Sequence, residues 1–389
     1  MLSMFGLFFV LFLAACGDDN SSSGSIDSGK DLVIRGIVES IDEYGALHPS
    51  FTPAQMDSAG FNFADMLEVE IKSIGTTTMP YTSAYSDAGI GKPSLCDYNA
   101  AKKELTFGVL NGNFQKDFGG KLGDSIIVKM KERQGYAKTY ELVRVLSSTD
   151  RSAYSSDSVF ANFRAINTTG MKRNTLYRTS NAINVSKNPV RYLFADKLAE
   201  NARIATEIDL ANTKEALEKI IESDEYKGEY CANLFKNGNV IGVGWGSGFF
   251  EKEVREKLAE AFRFMINNNP PYMFHCNEGK DRAGFFAMVL EGLAGASVKE
   301  ILNDYMVTYE NYYKIKKDSE EYLAIRKITA ERMLWLLANP VAYEHLIGVE
   351  WDDNTLEGID PQKAAIEYLK DCGLSDKEIE TLRKKISSK

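Results

Sequence analysis

Residues 271–294 carry the pattern that most restricts the fold of this chain. A short apolar run at 271–275 leads into a polar loop, and a longer apolar run follows at 283–294. The first run has the length of a buried strand, whereas the second is too long for a strand and has the length of a helix. A strand, a loop and a helix in this order predict an α/β fold, with a central, mostly parallel sheet flanked by helices.

The sequence around this unit continues to alternate between strand and helix patterns. We predict further strands at 203–210 and 239–244, and helices at 187–201, 249–267, 297–311, 322–337, 362–372 and 376–386. Ser297 and Glu300 have the spacing of a capping box, which marks the start of one of these helices. We therefore assign residues 149–389 to one α/β domain, in which the polar residues 149–157 form the join to the preceding part.

A different pattern fills residues 31–148. Strands are predicted at 32–38, 66–71, 104–110 and 125–130, and turns rich in Gly and Asn separate them. Residues 66–71 alternate between apolar and polar side chains, as a half-buried strand does. We predict a small β-rich domain, either a sandwich or a barrel. Its sequence indicates no catalytic site, so its role stays open.

The first 30 residues have the pattern of a targeting segment. Residues 2–15 carry no charged side chain and are mostly Leu, Phe and Ala, which is typical of a signal peptide. They end in Leu-Ala-Ala before Cys16, which resembles a bacterial lipobox, although no Lys or Arg precedes it. We predict that residues 1–16 are a lipoprotein signal peptide with Cys16 lipidated, and that the Gly-, Asp- and Ser-rich residues 17–30 are a flexible tether. The expected location is the cell envelope, with the exported chain anchored to a membrane; the alternative is an ordinary signal peptide.

Composition excludes several classes of protein. The chain of 389 residues has 46 basic and 55 acidic side chains and a net charge of −9, which argues against a nucleic-acid binder. No apolar run reaches the roughly 18 residues of a spanning helix, which excludes a polytopic membrane protein. With only three His, no metal site is predicted. Of the five cysteines, Cys96, Cys231 and Cys372 are predicted to be buried or incidental.

The loop between the predicted strand and helix at 271–294 carries the chemistry. Cys276 and Arg282 are separated by five residues, Asn277, Glu278, Gly279, Lys280 and Asp281, and His275 precedes them. A loop of this length can curl so that successive N–H groups point at the oxygens of one phosphate. The following helix directs its positive end to the same point, and an Arg can hold two phosphate oxygens. Cys276 then lies behind the phosphorus as a thiolate nucleophile, His275 orients the loop, and no metal or cofactor is required.

This segment resembles the cysteine-dependent protein tyrosine phosphatases, whose signature is His-Cys-x5-Arg. Its Gly279-Lys280-Asp281-Arg282 run is similar to the bacterial tyrosine and lipid phosphatase group that includes the mycobacterial secreted phosphatase B. Further similarity to this group lies at 162–164, 170, 176–180, 364–369, 373–375 and 382–383. The resemblance implies phosphomonoester hydrolysis through a phosphocysteine intermediate, with substrate binding by residues 277–280 together with Ala283 and Gly284.

One departure from that family concerns turnover. Most members have Ser or Thr directly after the Arg, and this hydroxyl helps the cysteine to leave the phosphoenzyme. Here the residue is Ala283. Slow turnover is one consequence, and the alternative function is a pseudophosphatase that binds phosphorylated ligands without efficient hydrolysis.

The general acid and the substrate class remain to be assigned. No Asp occurs between residues 225 and 280, so Asp281 is the predicted acid, as the resemblance also implies. Its alternative role is an ion pair that shapes the loop, with Asp209 and Glu278 as reserve acids. Lys280 is predicted to hold a second phosphate, although Glu278 in the same loop would repel a polyanion. Together with this cation, the resemblance implies phosphorylated proteins, phosphoinositides or inositol phosphates as substrates. Arg178 either binds substrate or braces the domain, and the sequence indicates no oligomeric state.

Overall fold

The computed structural model describes residues 32–99, 104–143, 145, 147–186, 188–246, 248–340 and 356–388. The predicted signal peptide and tether, including Cys16, lie outside these residues. Leu32–Lys389 form one compact unit. Within the described part of the chain, no helix has both the length and the apolarity that a bilayer crossing needs.

The N-terminal part is a closed barrel of seven strands. The strands are β1 (Val33–Ile41), β2 (Leu47–Pro49), β3 (Met66–Ile71), β4 (Gly75–Thr82), β5 (Pro93–Asn99), β6 (Glu104–Val109) and β7 (Ser125–Glu132). They close in the order β1-β2-β6-β5-β4-β3-β7, and only the β4–β5 pair among them is parallel. The prediction of a β-rich part is therefore confirmed. Of the two architectures that the sequence left open, a sandwich and a barrel, the structure shows the barrel.

Alternating side chains fill the barrel. In β3, Leu67, Val69 and Ile71 are fully buried, while Glu68 and Glu70 face outward. This strand pairs with β4 on one side and β7 on the other, so its inward face contributes to one continuous apolar core. A period of two in burial is the expected consequence of a pleated strand with one wet face.

The C-terminal part contains a five-stranded sheet. Its strands are β8 (Arg164–Ala165), β9 (Leu176–Thr179), β10 (Thr206–Asp209), β11 (Val240–Gly242) and β12 (Tyr272–His275). The order is β11-β10-β12-β9-β8, with three parallel pairs and an antiparallel pair between β8 and β9. All four side chains of the central strand β12 are buried, which explains why its sequence lacks alternation.

The described residues also form helices, several of which pack on this sheet. The helices are α1 (Pro53–Ser58), α2 (Phe114–Phe118), α3 (Ala137–Val143), α4 (Asp157–Phe160), α5 (Arg191–Asn201), α6 (Lys214–Ile221), α7 (Tyr230–Lys236), α8 (Lys252–Asn267), α9 (Asp281–Ala294), α10 (Val298–Tyr312), α11 (Glu320–Arg326), α12 (Arg332–Ala338), α13 (Pro361–Asp371) and α14 (Asp376–Ile386). The predicted capping box at the start of α10 is confirmed, because Ser297 and Glu300 each bond the other's backbone N–H. Helices α1, α2, α3, α4, α6 and α7 were not predicted.

The sheet has a core on each face. Tyr272 and Phe274 of β12 contribute to one core with helices α8, α9 and α10. Met273, between them in the sequence, contributes to the other core, which includes α5 and α7. The sheet is therefore flanked by helices on both faces, and α9 is buried along nearly all of its length.

The barrel packs directly on the helical part. Ile90 follows β4 and is fully buried in the core of the α/β part, and its backbone N–H donates to the carbonyl of Ile328 over 3.1 Å. Ile328 lies in a π-helical turn, Lys327–Glu331, which interrupts the predicted single helix at 322–337. Lys116 of the barrel part and Glu251, which precedes α8, also form an ion pair of 2.6 Å.

The polar residues 149–157 are not a free linker. Asp150 caps a 3₁₀ turn at Arg151–Ala153. The next residue, Tyr154, is buried, and its hydroxyl donates to the carbonyl of Tyr312 over 2.9 Å. The join is thus packed against α10, and the polar sequence reflects turn and capping groups.

The cysteines other than Cys276 are buried and unpaired among the described residues. Cys96, Cys231 and Cys372 are free thiols, as predicted. Burial raises the pKa of each, to about 12 for Cys372. None of these thiols has the environment of a reactive cysteine.

Candidate active site

The loop from Cys276 to Lys280 connects the end of β12 to the start of α9, as the sequence predicted. Gly279 allows the tight turn, because its φ of +73° is in the left-handed region. A Cβ at this position would lie 2.2 Å from the carbonyl oxygen of Thr179. Only glycine fits here, since both the conformation and the space exclude a side chain.

The backbone carbonyls of the first half of the loop are bonded on its outer side. Asn181 donates its N–H to the carbonyl of Asn277 over 3.0 Å. The side-chain amide of Asn162 donates to the carbonyl of Glu278 over 3.1 Å. Both donors come from segments that follow α4 and β9, so the sheet and the first helix of the domain fix this side of the loop.

Arg178 holds the second half of the loop. Its Nε donates to the carbonyl of Gly279 and its Nη2 to the carbonyl of Lys280, each over 2.8 Å. The hydroxyl of Thr308 also donates to the carbonyl of Gly279, over 3.3 Å. Arg178 is fully buried. Its predicted place among the substrate-binding residues is therefore corrected: it braces the loop from behind.

These outward carbonyls determine where the N–H groups point. In a planar trans peptide, the N–H of one residue points away from the C=O of the residue before it. Carbonyls bonded outward from Asn277 to Lys280 therefore turn the following N–H groups toward the inside of the loop. Helix α9 begins at Asp281 and adds its own free N–H groups and positive end. The inside of the loop is thus a site for a tetrahedral anion.

A buried carboxylate sets the position of Arg178. Asp304 of α10 accepts from Nη1 of Arg178 over 2.9 Å and from Nε of Arg164 over 3.0 Å. Burial raises the pKa of Asp304, but the guanidinium groups of Arg164 and Arg178 outweigh burial and bring the pKa below its usual value. A charged Asp304 between two Arg side chains satisfies the rule that buried charges are paired.

His275 is held as a cation below the loop. Its Nε2 lies 2.8 Å from Oε1 of Glu207, and its Nδ1 lies 3.3 Å from the carbonyl of Cys276. Burial lowers the pKa of His275, but Asp209 and Glu207 outweigh burial and raise it to about 9. The orienting role predicted for His275 therefore has a geometric basis, in which an imidazolium fixes the backbone of the cysteine.

Cys276 and Arg282 both face one cleft of about 900 Å³. Cys276 is 4% exposed, so its thiol lies at the bottom of the cleft. Nη1 of Arg282 donates to the carbonyl of Trp245 over 2.6 Å. Trp245 is itself buried, and its backbone N–H donates to the carbonyl of Leu210 over 2.9 Å. The glycine-rich segment at 242–246 is thus anchored at Trp245 and contacts Arg282.

The charged side chains of the loop are paired with one another. Nζ of Lys280 lies 3.3 Å from Glu278 and 3.8 Å from Asp281, and the Lys280 side chain is 8% exposed. The hydroxyl of Tyr313 donates to Glu278 over 2.5 Å, and that of Tyr305 donates to Asp281 over 3.0 Å. Asp281 lines the cleft and is paired less closely than Glu278, because its Oδ2 lies 3.8 Å from Nζ of Lys280. It therefore remains the better candidate for a group that exchanges protons with a substrate.

Asp209 has a structural role. It is fully buried, and its Oδ1 accepts from the N–H groups of Ala211 and Asn212 over 2.7 and 3.0 Å. Its Oδ2 accepts from the side-chain amide of Asn212 over 2.7 Å. Both oxygens are occupied, so the structure does not support Asp209 as a reserve acid.

Three residues predicted to bind substrate offer no side chain to the cleft, so that any contact they make is through backbone N–H groups. Gly279, Ala283 and Gly284 are buried and are not among the described residues that line the cleft. A Cβ on Gly284 would lie 2.3 Å from the ring of Tyr305. Gly284 therefore lets Tyr305 approach α9, where its hydroxyl reaches Asp281.

The barrel forms part of the wall of this cleft. Its lining residues from the barrel part are Tyr44, Ala84, Tyr85, Ser86, Leu110 and Asn111. The ring of Tyr44 packs over Gly246, where an added Cβ would lie 2.9 Å from it. The barrel, whose sequence indicated no catalytic site, thus borders the cleft that contains the Cys276 loop.

Residues 246–388 match the sequence model of a family described as the tyrosine phosphatase family. This segment contains the whole Cys276 loop, α9 and the helices that follow. This segment is a protein-tyrosine-phosphatase-like phosphatase domain. The family match begins at residue 246, whereas the resemblance noted in the sequence begins near residue 157.

Two solved structures are similar to parts of this chain. An uncharacterized conserved protein from Thermotoga maritima is 18% identical over 26% of this chain and 37% of its own, with a TM-score of 0.24. The core catalytic domain of PP-IP phosphatase SIW14 from S. cerevisiae, in complex with citrate, is 18% identical over 49% of this chain and 96% of its own, with a TM-score of 0.26. At such TM-scores, neither similarity bears on fold or substrate. No curated protein matches the chain.

Sequence reasoning missed the residues that brace the loop of the phosphatase. Asp304 and Thr308 lie one turn apart on α10 and both face the loop network. Polar residues at an i, i+4 spacing on the buried side of an apolar helix were the available signal. Glu207 was missed because one acidic residue in a short apolar strand indicates no partner by itself.

Proposed function

We propose that the phosphatase hydrolyses phosphotyrosine in proteins through a phosphocysteine intermediate. The observation that carries this proposal is the loop from Cys276 to Arg282, whose carbonyls are bonded outward from Asn277 to Lys280. The loop therefore presents N–H groups, a helix end and Arg282 to one phosphate, with Cys276 below it. This arrangement stabilises the charge that develops on the phosphate oxygens in the transition state.

The two chemical steps follow from the positions of Cys276 and Asp281. In the first step the thiolate of Cys276 forms a bond to phosphorus, the bond to the tyrosine oxygen breaks, and Asp281 gives its proton to that oxygen. In the second step a water attacks phosphorus, Asp281 takes a proton from the water, and the bond to sulfur breaks to release inorganic phosphate. Tyr305 donates to Asp281 and orients it for both transfers.

The charges in the cleft favour a single phosphate group. Among the described residues that line it, the charged ones are Glu278, Lys280, Asp281 and Arg282. Lys280 is paired with both carboxylates, which leaves Arg282 for the first phosphate. A second phosphate would meet two acidic side chains without an unpaired cation. A phosphotyrosine side chain, with one phosphate and a neutral ring, fits this balance better than a phosphoinositide or an inositol phosphate.

Phosphate release by the wild type and by Cys276→Ser tests the proposal. The substrates are a phosphotyrosine peptide, the matching phosphoserine peptide and a soluble phosphoinositide. We expect Cys276-dependent release that is fastest from the phosphotyrosine peptide. Tight peptide binding by the wild type without any release would instead support a pseudophosphatase, which Ala283 suggests. In that case Ala283→Ser, which adds the hydroxyl found in most relatives, is expected to restore some turnover.

We also propose that the phosphatase is displayed at a membrane through lipid on Cys16. The support is the sequence of residues 1–30, which lies outside the described part of the chain. Mass spectrometry of the native protein should show that residues 1–15 are removed and that Cys16 carries acyl chains. Full-length, unmodified protein in the soluble fraction would contradict this location.

A further inference from the structure

A second cavity lies beside the catalytic cleft, on the barrel. It has a volume of about 380 Å³, within the range of binding pockets. It shares Tyr44, Tyr85, Leu110, Asn111 and Gly246 with the lining of the catalytic cleft. The two spaces are therefore contiguous, and a substrate seated on Cys276 can extend from one into the other. We refer to this cavity as the barrel pocket.

The aromatic side chains between the two spaces are held in place. The hydroxyl of Tyr85 lies 2.5 Å from that of Thr106, and its ring covers Gly108, where an added Cβ would lie 2.4 Å from the ring. Tyr44 is 48% exposed and rests on Gly246. A fixed ring and an exposed ring at the boundary form an amphipathic surface suited to a polypeptide.

The barrel pocket is acidic. The charged side chains in its described lining are Asp42 and Glu104, together with His48, whose Nε2 lies 3.6 Å from Asp42. One oxygen of Asp42 accepts the N–H groups of Tyr44 and Ala46 over 3.0 and 2.8 Å, which fixes the carboxylate at the pocket wall. No Lys or Arg is among the described lining residues.

We infer that the barrel pocket is a subsite for a basic side chain of the polypeptide that carries the phosphotyrosine. This inference rests on the proposed function, since it extends the same substrate beyond the phosphate. The phosphotyrosine occupies the cleft above Cys276, the chain passes over Tyr44 and Tyr85, and a Lys or Arg near the phosphotyrosine lies between Asp42 and Glu104. The barrel is thus a specificity element of the phosphatase.

Paired peptides test this subsite. Two phosphotyrosine peptides that differ in one position near the phosphotyrosine, Lys in one and Glu in the other, are compared by kcat/KM. The wild type should prefer the Lys peptide. Glu104→Gln should reduce that preference by about twofold to fivefold, the range for a partly exposed ion pair, and Glu104→Lys should reverse it. Neither variant should alter hydrolysis of p-nitrophenyl phosphate, which lacks flanking residues.

A matched control separates a local contact from a general effect of charge. Glu70 is exposed on β3 and does not line the barrel pocket, so Glu70→Lys should leave the preference unchanged. The inference would be overturned if the wild type had equal kcat/KM for both peptides. It would also be overturned if Glu70→Lys and Glu104→Lys changed the preference for the Lys peptide by the same factor. The dissociation constants of both peptides for Cys276→Ser make the same comparison without turnover. A lack of hydrolysis with retained Lys preference would therefore count against the proposed function and not against the subsite.

Discussion

Nη2 of Arg178 donates to the carbonyl oxygen of Lys280 over 2.8 Å, from the side of the loop opposite the cleft. The same guanidinium reaches Gly279 and Asp304, so one fully buried side chain ties β9, the loop and α10 together. The geometry of the anion site therefore depends on a residue that does not contact the substrate. Such support is what a preorganised site requires.

Replacement of Arg178 tests this dependence. Arg178→Met should destabilise the fold by about 3–5 kcal/mol, because it removes one partner of a buried ion pair. In the folded fraction, the KM for p-nitrophenyl phosphate should rise, since the loop carbonyls lose their donors. Arg173→Met, at an exposed position in the same part, is the control and should change neither quantity. Urea unfolding and steady-state kinetics make the measurement. Normal KM in Arg178→Met would mean that the loop holds its shape without this brace.

Removal of the acid should depend on the leaving group. Asp281→Asn should lower kcat/KM for a phosphotyrosine peptide by about 10²-fold or more, the range for general acid catalysis. The loss should be small for aryl phosphates with very acidic phenols, which leave without a proton. Glu278→Gln is the control, because Glu278 is bonded to Tyr313 and Lys280. If Asp281→Asn lowers kcat/KM by the same factor for all leaving groups, Asp281 only shapes the loop.

Lys280 distinguishes a phosphotyrosine enzyme from one acting on multiply phosphorylated substrates. Lys280→Met removes the cation between Glu278 and Asp281, so binding of every anionic substrate should weaken. The ratio of kcat/KM for a phosphotyrosine peptide to that for a phosphoinositide should stay the same, because Lys280 is occupied by its two carboxylates. A loss about tenfold greater for the phosphoinositide would show that Lys280 does hold a second phosphate.

The stability of the phosphatase should depend on pH through His275. A pKa of about 9 in the folded state lies above the usual value of 6.5. The stabilising contribution of His275 is therefore fully present below about pH 6.5 and is lost as the pH rises through about 9. At 1.36 kcal/mol per pKa unit, the contribution is on the order of 3 kcal/mol. The gap in unfolding free energy between wild type and His275→Asn should shrink over this interval. A gap that does not change with pH would exclude a charged His275.

Elements with a clear local signal were predicted well from the sequence. The alternation of residues 66–71 predicted β3 with the ends that are observed. The capping box of Ser297 and Glu300 predicted the start of α10. The predicted helix at 322–337 failed as a single helix for a tertiary reason. The carbonyl of Ile328 accepts from Ile90 of the barrel part, and the hydroxyl of Thr329 donates to the carbonyl of Ile325 over 2.6 Å. These bonds compete with the regular helical ladder.

The site was predictable only where its residues are contiguous in the chain. The spacing of Cys276 and Arg282 was sufficient to place both on one loop before a helix. The spacing does not indicate on which side of the loop Arg178 lies, because that depends on the order of strands in the sheet. Nor does it indicate that Tyr44, which is far from the loop in the sequence, borders the cleft. Contacts of this kind follow from packing between parts that carry no shared local pattern.

The most direct test of the account is to trap the covalent intermediate. Wild-type protein is mixed with a phosphotyrosine peptide and quenched within one turnover, and its fragments are analysed by mass spectrometry. We expect a phosphoryl group on the sulfur of Cys276, which accumulates if Ala283 slows the second step and is absent in Cys276→Ser. Release of phosphate with no adduct on Cys276, or an adduct on another residue, would contradict the proposed mechanism.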